Sequence, residues 1–230
     1  MDTSRVGAWG VSLRWVLVVA VFGTVVSTAA AARSGGFSDE FSALDTSRWT
    51  LVERSAGRGR VMPANVAVAD GRLSLKLPAG TLDGGEIRSN AAYRFGTYRA
   101  RLKIADAPSS ITAFYLYGTP DYAREIDIEL FNDSTRRIMF STYSGGSQTN
   151  TRTVVLPFDP RADYHVYEID YRPGSVRFLV DGTVMQEWSR GVTRSAMNVF
   201  VTVWFASWLE GTMPDNDRTT SVDWIDFVSR

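Results

Sequence analysis

From Phe37 onward, short runs with strand-like alternation are separated at regular intervals by turn residues, and no stretch shows the apolar period of a long helix. The turn signals are Asp70-Gly71, Asp83-Gly84-Gly85, Pro120-Asp121, Ser144-Gly145-Gly146, Pro173-Gly174 and Asp181-Gly182. Such punctuation predicts an all-β sandwich or barrel. The clearest hairpin runs from Ser175 to Val184, because Asp181-Gly182 supplies the residues that tolerate the positive φ of a tight turn. Val199 to Ala206 and Val222 to Val228 read as further strands.

Arg5 and Arg14 precede an almost wholly apolar run from Trp15 to Val26, and small residues follow at Ala29 to Ala32. This order predicts a secretory signal peptide over residues 1–32, with a retained N-terminal anchor as the alternative. The run falls short of the roughly 20 residues of a comfortable membrane span. Residues 33–230 then form a single domain, long enough to bury a full core. Export predicts an extracellular protein, free of the membrane once the leader is removed, and we expect a monomer.

Twenty-five basic and 25 acidic residues cancel, and no basic cluster points to nucleic acid or an anionic membrane surface. The sequence has no Cys, which excludes disulfides, thiolate catalysis and Cys-based zinc sites. A His-dependent triad would have to rest on His165, the only histidine, which reads as a packing residue.

The most informative segment is Arg124-Glu125-Ile126-Asp127-Ile128-Glu129-Leu130. Strand side chains alternate between faces, so Ile126, Ile128 and Leu130 share one face and Glu125, Asp127 and Glu129 the other. Three like charges along one face raise each other's pKa. Glycoside hydrolysis uses such a set, one carboxylate attacking the anomeric carbon while a protonated one serves the leaving oxygen, about 5–5.5 Å apart in retaining enzymes. On an ideal strand, Cα atoms four residues apart are about 13 Å apart, so twist and inward-leaning side chains must close much of that gap. Two other readings of the same pattern stay open, a solvated acidic face and a calcium site.

That segment resembles the E-I/L-D-x-E signature of family 16 glycoside hydrolases, and is most similar to bacterial β-1,3-1,4-glucanases (lichenases) and xyloglucan transglycosylases. Further matches run in order along the chain: Phe37 to Phe41 with Trp49, Gly85 to Ser89 with Phe95 to Ala100, Tyr164 to Tyr171 with Val180-Asp181-Gly182, and Val222 to Ile225. The resemblance implies a concanavalin-like jelly roll of two antiparallel sheets with a concave glycan groove. It implies Glu125 as nucleophile, Glu129 as acid and then base, and Asp127 as the group between them. No cofactor is implied for the chemistry.

The resemblance also implies that Tyr115, Tyr117 and Trp204 face sugar subsites, that Trp208 and Tyr143 border them, and that Glu86, Arg88 and Asn65 contact the substrate. Gly71 and Asp223 match donors of a structural calcium ion in relatives. Met139, Ser141 and Thr202 stand where lichenases carry Gln, Asn and Asn, which bears on linkage preference, and Arg124 before the nucleophile is atypical. Asn132-Asp133-Ser134 forms a glycosylation sequon. The expected activity is retaining, endo-acting hydrolysis of β-1,3/1,4-glucan by double displacement, with β-glucan as partner. The alternatives are a glucan transglycosylase using the same site and a non-catalytic glycan-binding sandwich.

Overall fold

The structure, a computed structural model, describes residues 35–230. The expected leader lies outside the described residues. Two large antiparallel sheets account for most of the rest. One is ordered Ser147–Val155, Arg137–Ser144, Arg124–Phe131, Ile111–Gly118, Met197–Trp204, Gly85–Tyr93, Trp49–Leu51. The other is ordered Thr183–Trp188, Ser175–Val180, His165–Arg172, Gly96–Lys103, Arg218–Ser229, Arg72–Leu77, Val66–Ala69, with Phe37–Asp39 also paired to Arg218–Ser229. A small hairpin, Arg54–Ala56 with Gly59–Val61, belongs to neither sheet. Among the described residues, the helical structure is a single 3-10 turn at Pro63–Asn65.

Alternation drives this arrangement. Ile126, Ile128 and Leu130 are fully buried between the sheets with Phe114, Leu116, Phe140, Val201 and Val203. Tyr98, Leu102, Ile169, Phe178, Ile225 and Phe227 meet them from the opposite sheet. Burying such side chains contributes about 1.5–3 kcal/mol each, which ties the parity of every strand to one orientation. Asp181 and Gly182 adopt φ of 47° and 77°, as the expected hairpin turn requires.

The last strand begins earlier than its apolar pattern indicates, at Arg218 rather than Val222. Its first part pairs with Arg72–Leu77, and Thr220 there is fully buried, bonded to Thr112 and to the amide of Ala105. A satisfied hydroxyl thus takes an interior place that hydrophobic periodicity does not reveal.

A second, smaller apolar cluster lies on the outer face of the seven-stranded sheet. Ile111, Ala113, Tyr115, Phe131, Phe200 and Ala206 are buried in it, with Tyr117, Met139, Trp204 and Leu209 packed alongside. An apolar patch on the outer face of a sandwich marks a binding surface. It forms the floor of the site.

Candidate active site

Strand register fixes the neighbours of each carboxylate. Glu125 lies between Tyr117 and Tyr143, Asp127 between Tyr115 and Ser141, and Glu129 between Ala113 and Met139. All three carboxylates line one groove of about 690 Å³, together with Arg54, Glu86, Arg88, Tyr143, Phe200, Trp204 and Trp208. The solvated-face reading therefore gives way to a cleft.

The surroundings make the set hold protons. Burial raises Glu125 to about 7; the hydrogen bond with Asp127 opposes the rise, Asp121 adds to it, and Arg54 opposes it. Burial, then the charge of Glu125, raises Glu129 to about 7. Asp127 is 5% exposed and pushed well above the usual carboxylate range by burial and by Glu125 and Glu129 on either side. Its Oδ1 has no hydrogen-bond partner among the described residues. A buried carboxyl oxygen left in that state between two carboxylates is suited to carry a shared proton.

The floor and walls follow from parity on the adjoining strands. Tyr115 stacks on Phe200, with ring centroids 4.8 Å apart, and Tyr117 meets the same ring edge-on at 5.9 Å. Trp204 lines the groove as expected, and its indole packs against Gly57, where a Cβ would come within 2.9 Å of the ring and 2.2 Å of the Phe205 carbonyl. Trp208 is half exposed at the rim, edge-on to Phe131. Tyr143 accepts a hydrogen bond from Gln148 at 3.0 Å.

Glu86 is fully buried and is held by Arg54 through two contacts of 3.0 and 2.6 Å and by the Tyr115 hydroxyl at 3.0 Å. Its charge partner is therefore Arg54, from the small hairpin, and not Arg88, which is exposed on the groove wall. This bidentate pair fastens the hairpin beside the groove floor.

Several expectations meet a different placement. Asn65 ends the 3-10 turn, where strand parity lapses; it is buried, donates to the Gly84 carbonyl at 2.9 Å and is not among the groove-lining residues. Asp223 is paired with Arg101 and lies 3.9 Å from Arg72, while Gly71 is an exposed turn residue. Two guanidinium groups already neutralise that carboxylate, so these residues do not fit a calcium ion, and no acidic or His cluster among the described residues suits a metal. The Asn132 side chain is buried, bonded to Ser110 and Thr112, which removes it from the surface a glycan needs. His165 packs flat on Phe158 and contacts Asp181, in the sheet away from the site.

Several groove residues escaped sequence reasoning, among them Phe200, Arg54, Asp121 and Tyr122. Phe200 shares the parity of Thr202 and Trp204 and was readable on that ground. Arg54, Asp121 and Tyr122 come from a hairpin and a loop, where parity carries no information about facing.

In sequence and in fold the chain is similar to proteins of known kind. A beta-glucanase of Bacillus subtilis strain 168 is 26% identical over 239 residues, spanning 95% of this chain and 99% of that protein. A beta-glucanase of Paenibacillus polymyxa is 28% identical over 170 residues, spanning 70% of this chain and 71% of that one. The solved structure of a prokaryotic beta-1,3-1,4-glucanase (lichenase) from a mouse hindgut metagenome shares the fold, with a TM-score of 0.78 at 22% identity over 86% of this chain and 100% of that one. Residues 58–226, which include the whole acidic strand and most of its neighbours, match the model of the glycosyl hydrolases family 16, and the chain belongs to that family of glycoside hydrolases.

Proposed function

We propose that this protein is an exported, retaining, endo-acting hydrolase of β-1,3-1,4-glucan, acting through Glu125, Asp127 and Glu129. The observation that carries the reading is the three carboxylates in register on one strand, all lining an open aromatic-walled groove and all raised above their ordinary pKa. The beta-glucanase relatives support the substrate class, and the apolar run after Arg14 supports export.

In the first step Glu125 attacks the anomeric carbon as the glycosidic C–O bond breaks and Glu129 gives its proton to the leaving oxygen. The product is an ester between Glu125 and the sugar, with the anomeric configuration inverted. In the second step Glu129 takes a proton from water, which attacks the same carbon and releases Glu125, so the configuration is restored. The elevated pKa of Glu129 keeps the required proton available near neutral pH. Asp127 holds a proton towards its neighbours and limits the cost of three adjacent charges. Trp204 offers a flat face on which a pyranose ring rests, above a floor made by the stacked pair Tyr115 and Phe200.

Reducing-sugar release and product analysis on cereal mixed-linkage β-glucan, lichenan, laminarin and xyloglucan test this. The reading predicts oligosaccharides from the mixed-linkage polymers and none after Glu125→Gln. Binding without turnover by the wild type would overturn it.

A further inference from the structure

The acidic strand is joined to its neighbour Ile111–Gly118 by the loop of residues 119–123. Two consecutive residues of that loop reach the two tyrosines that flank Glu125. The Tyr117 hydroxyl donates to Asp121, and the Tyr122 ring lies 5.2 Å from that of Tyr143. Tyr117 and Tyr143 are the cross-strand neighbours of Glu125 on its two sides. Asp121 and Tyr122 also line the groove themselves.

The loop is fastened at several points. The amides of Gly145 and Gly146 donate to the carbonyls of Ala123 and Tyr122 at 3.1 and 3.0 Å, and Ala123 donates to Pro120 at 3.1 Å. Arg124, atypical at its position, lies over Gly118 and donates to the Thr119 carbonyl. A Cβ at residue 118 would stand 2.6 Å from its Nε. Tyr122 adopts φ of 60°, a left-handed conformation that is costly for a non-glycine residue and persists where the surroundings over-determine it.

We propose that Asp121 is a positioning residue of this site: by holding the Tyr117 hydroxyl it sets the wall against which the sugar attacked by Glu125 is aligned. The proposal rests on the reading of Glu125 as nucleophile. It goes beyond the family signature, because Asp121 belongs to a loop whose residues that signature does not include.

A charge so placed also acts on Glu125 directly. The groups facing that carboxylate are Asp127 and Glu129 on its own strand, Tyr115 and Tyr117 on one side, Tyr143 on the other, Arg54 from the hairpin and Asp121 from the loop. Beside the larger effects of burial, which raises Glu125, and of the Asp127 hydrogen bond, which lowers it, Asp121 raises the nucleophile and Arg54 lowers it from two further elements.

Three variants separate the two roles. Asp121→Asn keeps an acceptor for Tyr117 but loses the charge, and the acidic limb of its kcat/KM profile should move down by about half a pH unit. Asp121→Ala loses both, and its kcat should fall about tenfold as the wall loosens, with the larger change in kcat and not in KM. Tyr117→Phe loses the bond but keeps the charge, so its kcat should fall as in Asp121→Ala while the acidic limb stays in place. Thermal midpoints of all three, measured alongside, confirm that folded proteins are being compared. An acidic limb unmoved in Asp121→Asn, or wild-type kcat in Asp121→Ala, overturns the proposal. A wild type inactive on every β-glucan instead sinks the reading of the site, so the two failures are distinct.

Discussion

The outer faces of the two sheets use the same residue types to opposite ends. On the eight-stranded sheet each buried or half-buried aspartate meets arginine. Asp170 is contacted by Arg172, Arg177 and Arg230 at 2.8, 2.8 and 3.2 Å, and Asp226 is paired with Arg99. Burial alone would raise Asp170, but the arginines overcome it and hold the carboxyl below its ordinary value. On the seven-stranded sheet Glu125, Asp127 and Glu129 form no ion pair with a cation among the described residues, and all three are raised. Low solvent exposure by itself does not distinguish a reactive carboxylate from a structural one, since Asp170 and Asp127 are both almost inaccessible to solvent. The matching of charge does.

The sharpest way to break this contrast is to neutralise one carboxylate on each face. Glu125→Gln or Glu129→Gln should lower kcat roughly a thousandfold or more, with no loss of thermal stability, because an unmatched buried charge is removed. Asp170→Asn should do the reverse, costing about 2 kcal/mol of unfolding free energy in denaturant titration while glucan hydrolysis continues. A variant on either face that behaved like its counterpart would erase the distinction.

The pH dependence of stability has opposite signs at the groove glutamates and at Asp170. Glu125 and Glu129 have folded values near 7 against an ordinary 4.5, so between those limits the folded state binds more protons than the unfolded one. Stability therefore falls as pH rises through that window, by on the order of 3 kcal/mol per glutamate. Asp170 is lowered, so its contribution is present above its unfolded value and lost as pH falls through its folded one. Unfolding curves from pH 4 to 8 should show a decline in the wild type that is reduced in Glu129→Gln. The smallest effect expected is from chelation: because Arg101 and Arg72 occupy the vicinity of Asp223, a chelator should move the thermal midpoint by less than about 1 °C. A larger shift, reversed by calcium, would reveal a cation that those residues do not accommodate.

How much was legible in the sequence follows the same division. Parity along a strand has two outcomes, and burying Ile126, Ile128 and Leu130 decides between them, so the facing of Glu125, Asp127 and Glu129 could be read directly. The same rule placed Tyr115, Tyr117 and Trp204 and would have placed Phe200. It fails where the chain leaves a strand. Arg54 reaches Glu86 across 32 positions of sequence, and Asp121 reaches Tyr117 from a loop. Asn65 was carried over by resemblance alone and, at the end of a 3-10 turn, its amide bonds to backbone. Contacts set by topology, and not by local period, were the ones that could not be read.

The account depends on Glu125 attacking carbon from within the groove. A 2-deoxy-2-fluoro β-oligoglucoside with a good leaving group slows the second step and lets the ester accumulate, so mass spectrometry of the digested protein reads the attacking residue. The account predicts one sugar adduct on the peptide containing Glu125, absent from Glu125→Gln. An adduct on another carboxylate, or an active wild-type enzyme that forms none and releases product of inverted configuration, would contradict it.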